Sequence, residues 1–125
     1  MSGPSASQNS YPYQNEPPWS RSEKASARRV FDAVLKRELH EIMQQAKRKA
    51  NQIKDPADVW ELERYLNARR KEIDAKYEFR FSRLTRTFGK LLCEGRVSED
   101  ELRALGEDKL KVIRSCAKVL SEDAA

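Results

Sequence analysis

Trp60, Glu63, Arg64 and Arg70 are the side chains whose types and spacing carry the clearest chemistry in this sequence, and it is the chemistry of recognition. Tryptophan and arginine are the residue types that most often dominate binding energy at protein interfaces. On a helix Arg64 stands one turn beyond Trp60, and Arg70 close to three turns beyond. Two readings of Trp60 stay open: a ring packed against a neighbouring helix or dimer mate, or an interface anchor. Groups able to make or break bonds are scarce. His40 is the single histidine and sits in a polar helical stretch, where it reads as solvated. No glycine-rich loop could cradle a phosphate, and no serine or cysteine stands beside a plausible base. Cys93 and Cys116 match no metal or redox spacing and read as reduced thiols packed in an intracellular core. These residues predict no enzyme, no cofactor, no metal and no small-molecule substrate.

Helices must position the recognition residues. The stretch from Pro56 to Gly95 reads as one uninterrupted helix, opened by the pair Asp55-Pro56 and closed by Gly95 as a left-handed cap. Such a helix is roughly 58 Å long, whereas a compact domain of this size has a radius of gyration of about 13 Å. It should therefore project from any monomeric core, with an apolar stripe that needs a partner. The stripe runs through Val59, Leu62, Leu66, Ile73, Tyr77, Leu84, Phe88 and Leu91, and is broken where Arg69, Arg70 and Arg80 take apolar slots. Those arginines predict packing against a partner, or against acids, at their heights.

An earlier helix should begin at Ser20, since Ser20-Arg21-Ser22-Glu23 fits a capping box. Its stripe of Phe31, Leu35, Leu39, Ile42, Ala46, Ala50 and Ile53 has near-heptad spacing. After Gly95, Ser98-Glu99-Asp100-Glu101 is a second capping box for a short helix ending near Gly106. A last helix from Glu107 to Leu120 carries Leu110, Ile113, Ala117 and Leu120 on one face. The prediction is an all-α, dimeric protein: a long-helix stalk and dimerisation region over 20–94, and a helical head over 95–121. Leu35, Leu39, Ile42, Val59, Trp60, Leu66 and Ile73 are the expected dimer-interface residues.

The chain has 125 residues, 36% of them charged, and a net charge of +5. Residues 1–19 are rich in Ser, Pro, Asn, Gln and Tyr, hold one charged side chain and read as a disordered tail. With no basic start, no signal-peptide apolar segment and no membrane-spanning window, the expected location is cytoplasmic. The bases Arg64, Arg69, Arg70, Lys71, Lys76, Arg80, Arg83, Arg86 and Lys90 raise a second class, a nucleic-acid-associated helical protein. Acids are interleaved through most of the helical sequence, as on an ordinary solvated surface, which makes that class the weaker one.

Three runs resemble one family: Asp58-Val59-Trp60-Glu61-Leu62, then Ala68-Arg69-Arg70-Lys71-Glu72-Ile73-Asp74-Ala75-Lys76-Tyr77, then Thr87-Phe88-Gly89-Lys90-Leu91-Leu92. With Glu94-Gly95 and Asp108-Lys109-Leu110, they resemble the fluorescence recovery proteins of cyanobacterial photoprotection, over residues 20 to 115. The resemblance implies an all-helical homodimer without enzymatic activity, working near thylakoid membranes and phycobilisomes. Such proteins bind the light-activated red form of the orange carotenoid protein through its C-terminal domain. They speed its return to the orange form and help detach it from the phycobilisome, ending energy quenching. In this family the tryptophan at Trp60 matters to the dimer and partner surface, and the arginine at Arg70 belongs to the binding face. The implied partner surface is Trp60, Glu63, Arg64 and Arg70 on the stalk, helped in the head by Arg86, Phe88 and Lys109. Two positions depart from the family pattern: Arg64 stands where the family has an acid, and Arg86 where it often has phenylalanine. A reversed charge in an interface can cost several kcal/mol against the original partner, so a divergent member with another client is the alternative.

Overall fold

Ser20 and Glu23 start the first helix as a reciprocal cap. The Ser20 hydroxyl accepts from the Glu23 N–H at 3.1 Å, and the Glu23 carboxylate accepts from the Ser20 N–H at 3.0 Å, worth about 1 kcal/mol. The computed structural model describes residues 18–124. It runs through α1 (Arg21–Asn51), α2 (Ala57–Lys76), α3 (Leu84–Cys93), α4 (Glu99–Leu102), a 3₁₀ turn (Arg103–Leu105) and α5 (Glu107–Ala124). The described residues hold no strand, so the protein is all-α as its sequence predicts. The expected disordered tail lies outside the described residues except at its end, where Pro18 and Trp19 join the fold.

The single long helix expected from Pro56 to Gly95 is two helices, parted at residues 77–83. Asp55 supplies no side-chain cap for the first of them; Asp58 reaches back instead, accepting from the N–H groups of Lys54 and Asp55 at 3.0 and 3.1 Å. At the other end Tyr77 leaves helical angles (φ −96°, ψ 81°) although its N–H still bonds the Ile73 carbonyl. No proline or glycine forces this break. Aromatic packing does. Phe79 meets Phe31 edge-on with centroids 5.0 Å apart, Phe81 meets Phe79 at 5.2 Å, and Trp19 lies tilted against Phe81 at 5.5 Å. Helix propensities among these residue types differ by a few tenths of a kcal/mol, while fully burying a phenylalanine is worth about 1.5–3 kcal/mol, of which the half-buried Phe79 and Phe81 each keep a part. Packing prevails over propensity.

Two compact units result, one combining residues 18–32 with 79–124, the other spanning Ala33–Glu78. In the first, α3 and α5 pack closely around Leu84, Phe88, Leu91, Leu102, Leu105, Leu110 and Ile113, all fully buried. Gly89 permits the approach, because a Cβ there would fall 2.6 Å from the Cys116 Cβ. Gly95 (φ +75°) ends α3 in a Schellman motif, with Gly95 N–H on the Leu92 carbonyl and Arg96 N–H on that of Leu91. The capping box of α4 forms as predicted, Ser98 with Glu101. Of the two thiols expected in the core, Cys116 is there and Cys93 is exposed; neither forms a disulfide.

Lys109 is fully buried in this first unit. Its ammonium donates to Glu23 at 3.1 Å and to the Pro18 carbonyl at 3.2 Å, and stands 4.9 Å from the Trp19 ring. Cations cover the other rings too, Lys24 over Phe81 and Arg28 over Phe79. The Ser20 N–H and the Lys109 ammonium hold the Glu23 carboxyl below its usual range.

Candidate partner-binding surface

The second unit, Ala33–Glu78, is held by charge rather than by an apolar seam. Glu38 on α1 is 1% exposed. Its carboxylate accepts from Arg69 and Lys76, each at 2.9 Å, and from the Tyr77 hydroxyl at 2.7 Å. Burial pushes this carboxyl up, but the bonds from Lys76, Tyr77 and Arg69 outweigh it and hold the group below its usual range. Arg69 also pairs with Glu72 one turn on, while Lys76 reaches Glu38 on α1. Lys49 of α1 covers the Tyr65 ring of α2 at 4.9 Å. The arginine in the apolar slot at 69 thus meets an acid of its own chain.

With Arg69 and Lys76 turned to α1, the remaining faces of α2 stay open. None of its twenty residues is buried. Val59, Trp60 and Leu66 are exposed on it, Trp60 by 62%, and Leu39 and Met43 are exposed on α1. Leu35, Ile42 and Ile73, also expected at a dimer interface, are half-buried. An open groove of about 380 Å³ runs along α2, lined by Val59, Leu62, Glu63, Leu66, Asn67 and Arg70. These positions recur every three or four residues and so share one face. Trp60 and Arg64 form the neighbouring stripe, one turn apart. Arg70 is 82% exposed and only 3.9 Å from Asp74, a pair worth at most about 1 kcal/mol, so its guanidinium remains available to a carboxylate from outside.

The structure brings four of the expected partner-surface residues together and separates the other three. Trp60, Glu63, Arg64 and Arg70 share α2. Arg86 is exposed on α3, in the other unit. Phe88 and Lys109 are corrected: both are fully buried, Phe88 in the α3–α5 core and Lys109 under Trp19, so neither side chain is presented to a partner. Asn67 in the groove and Glu38 beneath the unit were not singled out from sequence. A signal existed for each. Asn67 lies four residues after Glu63 and three before Arg70, and Glu38 continues the buried face of Ala27, Phe31 and Val34. No group of three or more His, Cys, Asp or Glu among the described residues could hold a metal ion, and His40 hydrogen-bonds Gln44 at 3.3 Å on the surface. Among the described residues no helix is long and apolar enough to cross a membrane.

An all-α chain with an unburied helix, an apolar groove and an arginine at its rim defines a helical interaction protein. The chain belongs to the photoprotection regulator fluorescence recovery protein family, which matches residues 19–117. The fluorescence recovery protein of Synechocystis sp. is 38% identical over 104 residues, covering 83% of this chain and 95% of that protein. Among solved structures, the Fremyella diplosiphon fluorescence recovery protein superposes with a TM-score of 0.77 at 36% identity, over 81% of this chain and 99% of that one. The Synechocystis structure gives 0.77 at 39% identity with the same coverage.

Proposed function

We propose that this chain is a cytoplasmic, non-enzymatic homodimer that binds the photoactivated orange carotenoid protein through its C-terminal domain and accelerates its return to the orange state, ending phycobilisome quenching. The observation that carries the reading is α2, a twenty-residue helix with nothing buried, in a chain of the photoprotection regulator family. Apolar side chains at Val59, Trp60 and Leu66 call for cover, and a second copy supplies it, together with Leu35, Leu39, Ile42 and Ile73. Glu63, Arg64 and Arg70 then form the polar border that meets the client, with Arg86 as a further contact. A binding protein can hasten relaxation only by favouring the relaxing or product arrangement over the starting one. No cofactor enters this scheme.

Arg70→Ala is the direct test. Affinity for the photoconverted client should fall about tenfold or more, while the dimer, measured by sedimentation, stays intact. Unchanged affinity would remove Arg70 from the surface and count heavily against the reading. Arg64, exposed where the family has an acid, favours a second reading in which the client is a relative of the orange carotenoid protein with a matching acid. Arg64→Asp separates the two: it strengthens binding to the usual client in the first case and weakens binding to a matched one in the second.

A further inference from the structure

The N-terminal turn is fastened to the start of α5 by a buried cation. The Lys109 side chain is 1% exposed, and an ammonium so deeply buried is tolerated only when its donors are met. Its three N–H donors have three partners: the Glu23 carboxylate at 3.1 Å, the Pro18 carbonyl at 3.2 Å and the Asp108 carboxylate at 3.5 Å. The two shorter bonds both reach the N-terminal turn. Gly106 makes room for them, because a Cβ there would fall 2.6 Å from Glu23 Oε2. The Trp19 ring lies 4.9 Å from the ammonium and 5.5 Å from the Phe81 ring. Lys24, in the first turn of α1, covers the same Phe81 ring at 5.2 Å. Outside its own segment, Phe81 thus takes its ring and cation contacts among the described residues from Trp19 and Lys24.

The docked turn carries internal costs. Trp19 Nε1 is buried with no acceptor among the described residues, a donor that water would satisfy if the turn lifted. Lys109 would regain its hydration in the same step. Opening therefore offsets part of the Phe81 contact that it gives up, as in a segment that opens locally while the core stays folded. Residues 77–83 hold no proline or glycine. Once Phe81 loses its cover, Phe79 on Phe31 is the remaining aromatic anchor against the intrahelical bonds of the whole segment. We propose that residues 18–24 form a latch that sets the helix break: docked on Lys109 they keep 77–83 out of helix, and lifted they let that segment join α2 to α3. Lys109 is then a positioning residue, acting on Phe81 through Trp19, and the chain holds a two-state element that its N-terminal turn biases. The latch needs no client to act, so it stands or falls apart from the proposed function.

Trp19→Ala and Lys109→Ala are made in the full chain, with Gly89→Ala as a control that weakens the α3–α5 contact and leaves the turn alone. Amide hydrogen exchange at residues 18–24 should speed up about tenfold or more in Lys109→Ala. In both latch variants the carbon secondary shifts of residues 77–83 should move to helical values, while those of α3 and α5 stay as in the parent. Gly89→Ala should melt lower and keep the break. Where Lys109→Ala fails to fold, Trp19→Ala carries the same test. A segment 77–83 that stays non-helical in Trp19→Ala would overturn the latch. So would the same helical shift in Gly89→Ala, which would make it a consequence of general loosening.

Discussion

At the scale of single residues, the account turns on which charges are answered inside the chain and which are left for a partner. Glu38 is answered three times over, by Arg69, Lys76 and Tyr77, whereas Arg70, one position from Arg69, makes a solvent-exposed pair with Asp74 at 3.9 Å. Adjacent residues on a helix point about 100° apart, so two neighbouring arginines serve the interior and the surface respectively. Removing the Glu38 charge should destabilise the protein by about 3–5 kcal/mol, because Arg69 and Lys76 are left facing each other. Glu38→Gln should show this as a lowered melting temperature at neutral pH; an unchanged one would mean the network is idle. The pH dependence has a definite sign. The folded carboxyls of Glu38 and Glu23 are depressed below their ordinary value of 4.5. Their contribution is therefore present above that pH and lost as pH falls through the folded values. Melting temperature should drop below about pH 4.5, and the drop should be shallower in Glu38→Gln.

At the scale of elements, the break at residues 77–83 separates what the sequence discloses from what it does not. Caps and terminators are local, and apart from the expected Asp55 cap they were legible: both capping boxes, the Gly95 terminator and the starts of α1, α4 and α5 stand where the spacing predicts. The end of α2 was not, because nothing in Tyr77-Glu78-Phe79-Arg80-Phe81 forbids a helix. The three aromatics alternate, which puts Phe79 and Phe81 on one side of an extended segment, but the rings that receive them, Phe31 and Trp19, are about fifty residues or more away in sequence. On the buried face of α1 the stripe includes Phe31 but misses Glu38 for a similar reason: an acid hides an apolar pattern. Of the residues expected at the partner surface, Trp60, Glu63, Arg64 and Arg70 share α2 as helical spacing places them, while the burial of Phe88 and Lys109 depends on α5 and Trp19. Phe79→Ala, at a half-buried ring, should cost about 1–3 kcal/mol and raise helicity, since the released segment has no residue that breaks a helix. A circular-dichroism spectrum showing reduced helicity would contradict the packing explanation. Gly89→Ala should destabilise by about 1–3 kcal/mol through its clash with Cys116, read as a lower urea midpoint with unchanged slope.

At the scale of the whole molecule, the two units divide the labour differently. One buries its apolar side chains under α5 and the N-terminal turns and presents charge. The other keeps its buried acid inside and presents apolar side chains. Membership of the fluorescence recovery protein family places the chain in photoprotection regulation, and in the function proposed above it is the cover on α2 that carries that role. The most direct measurement is the dark recovery of photoconverted orange carotenoid protein, followed by absorbance with and without this chain. The account predicts faster return to the orange form at substoichiometric amounts, and a slower effect with Arg70→Ala. Unchanged recovery in the presence of the folded, helical dimer would contradict it.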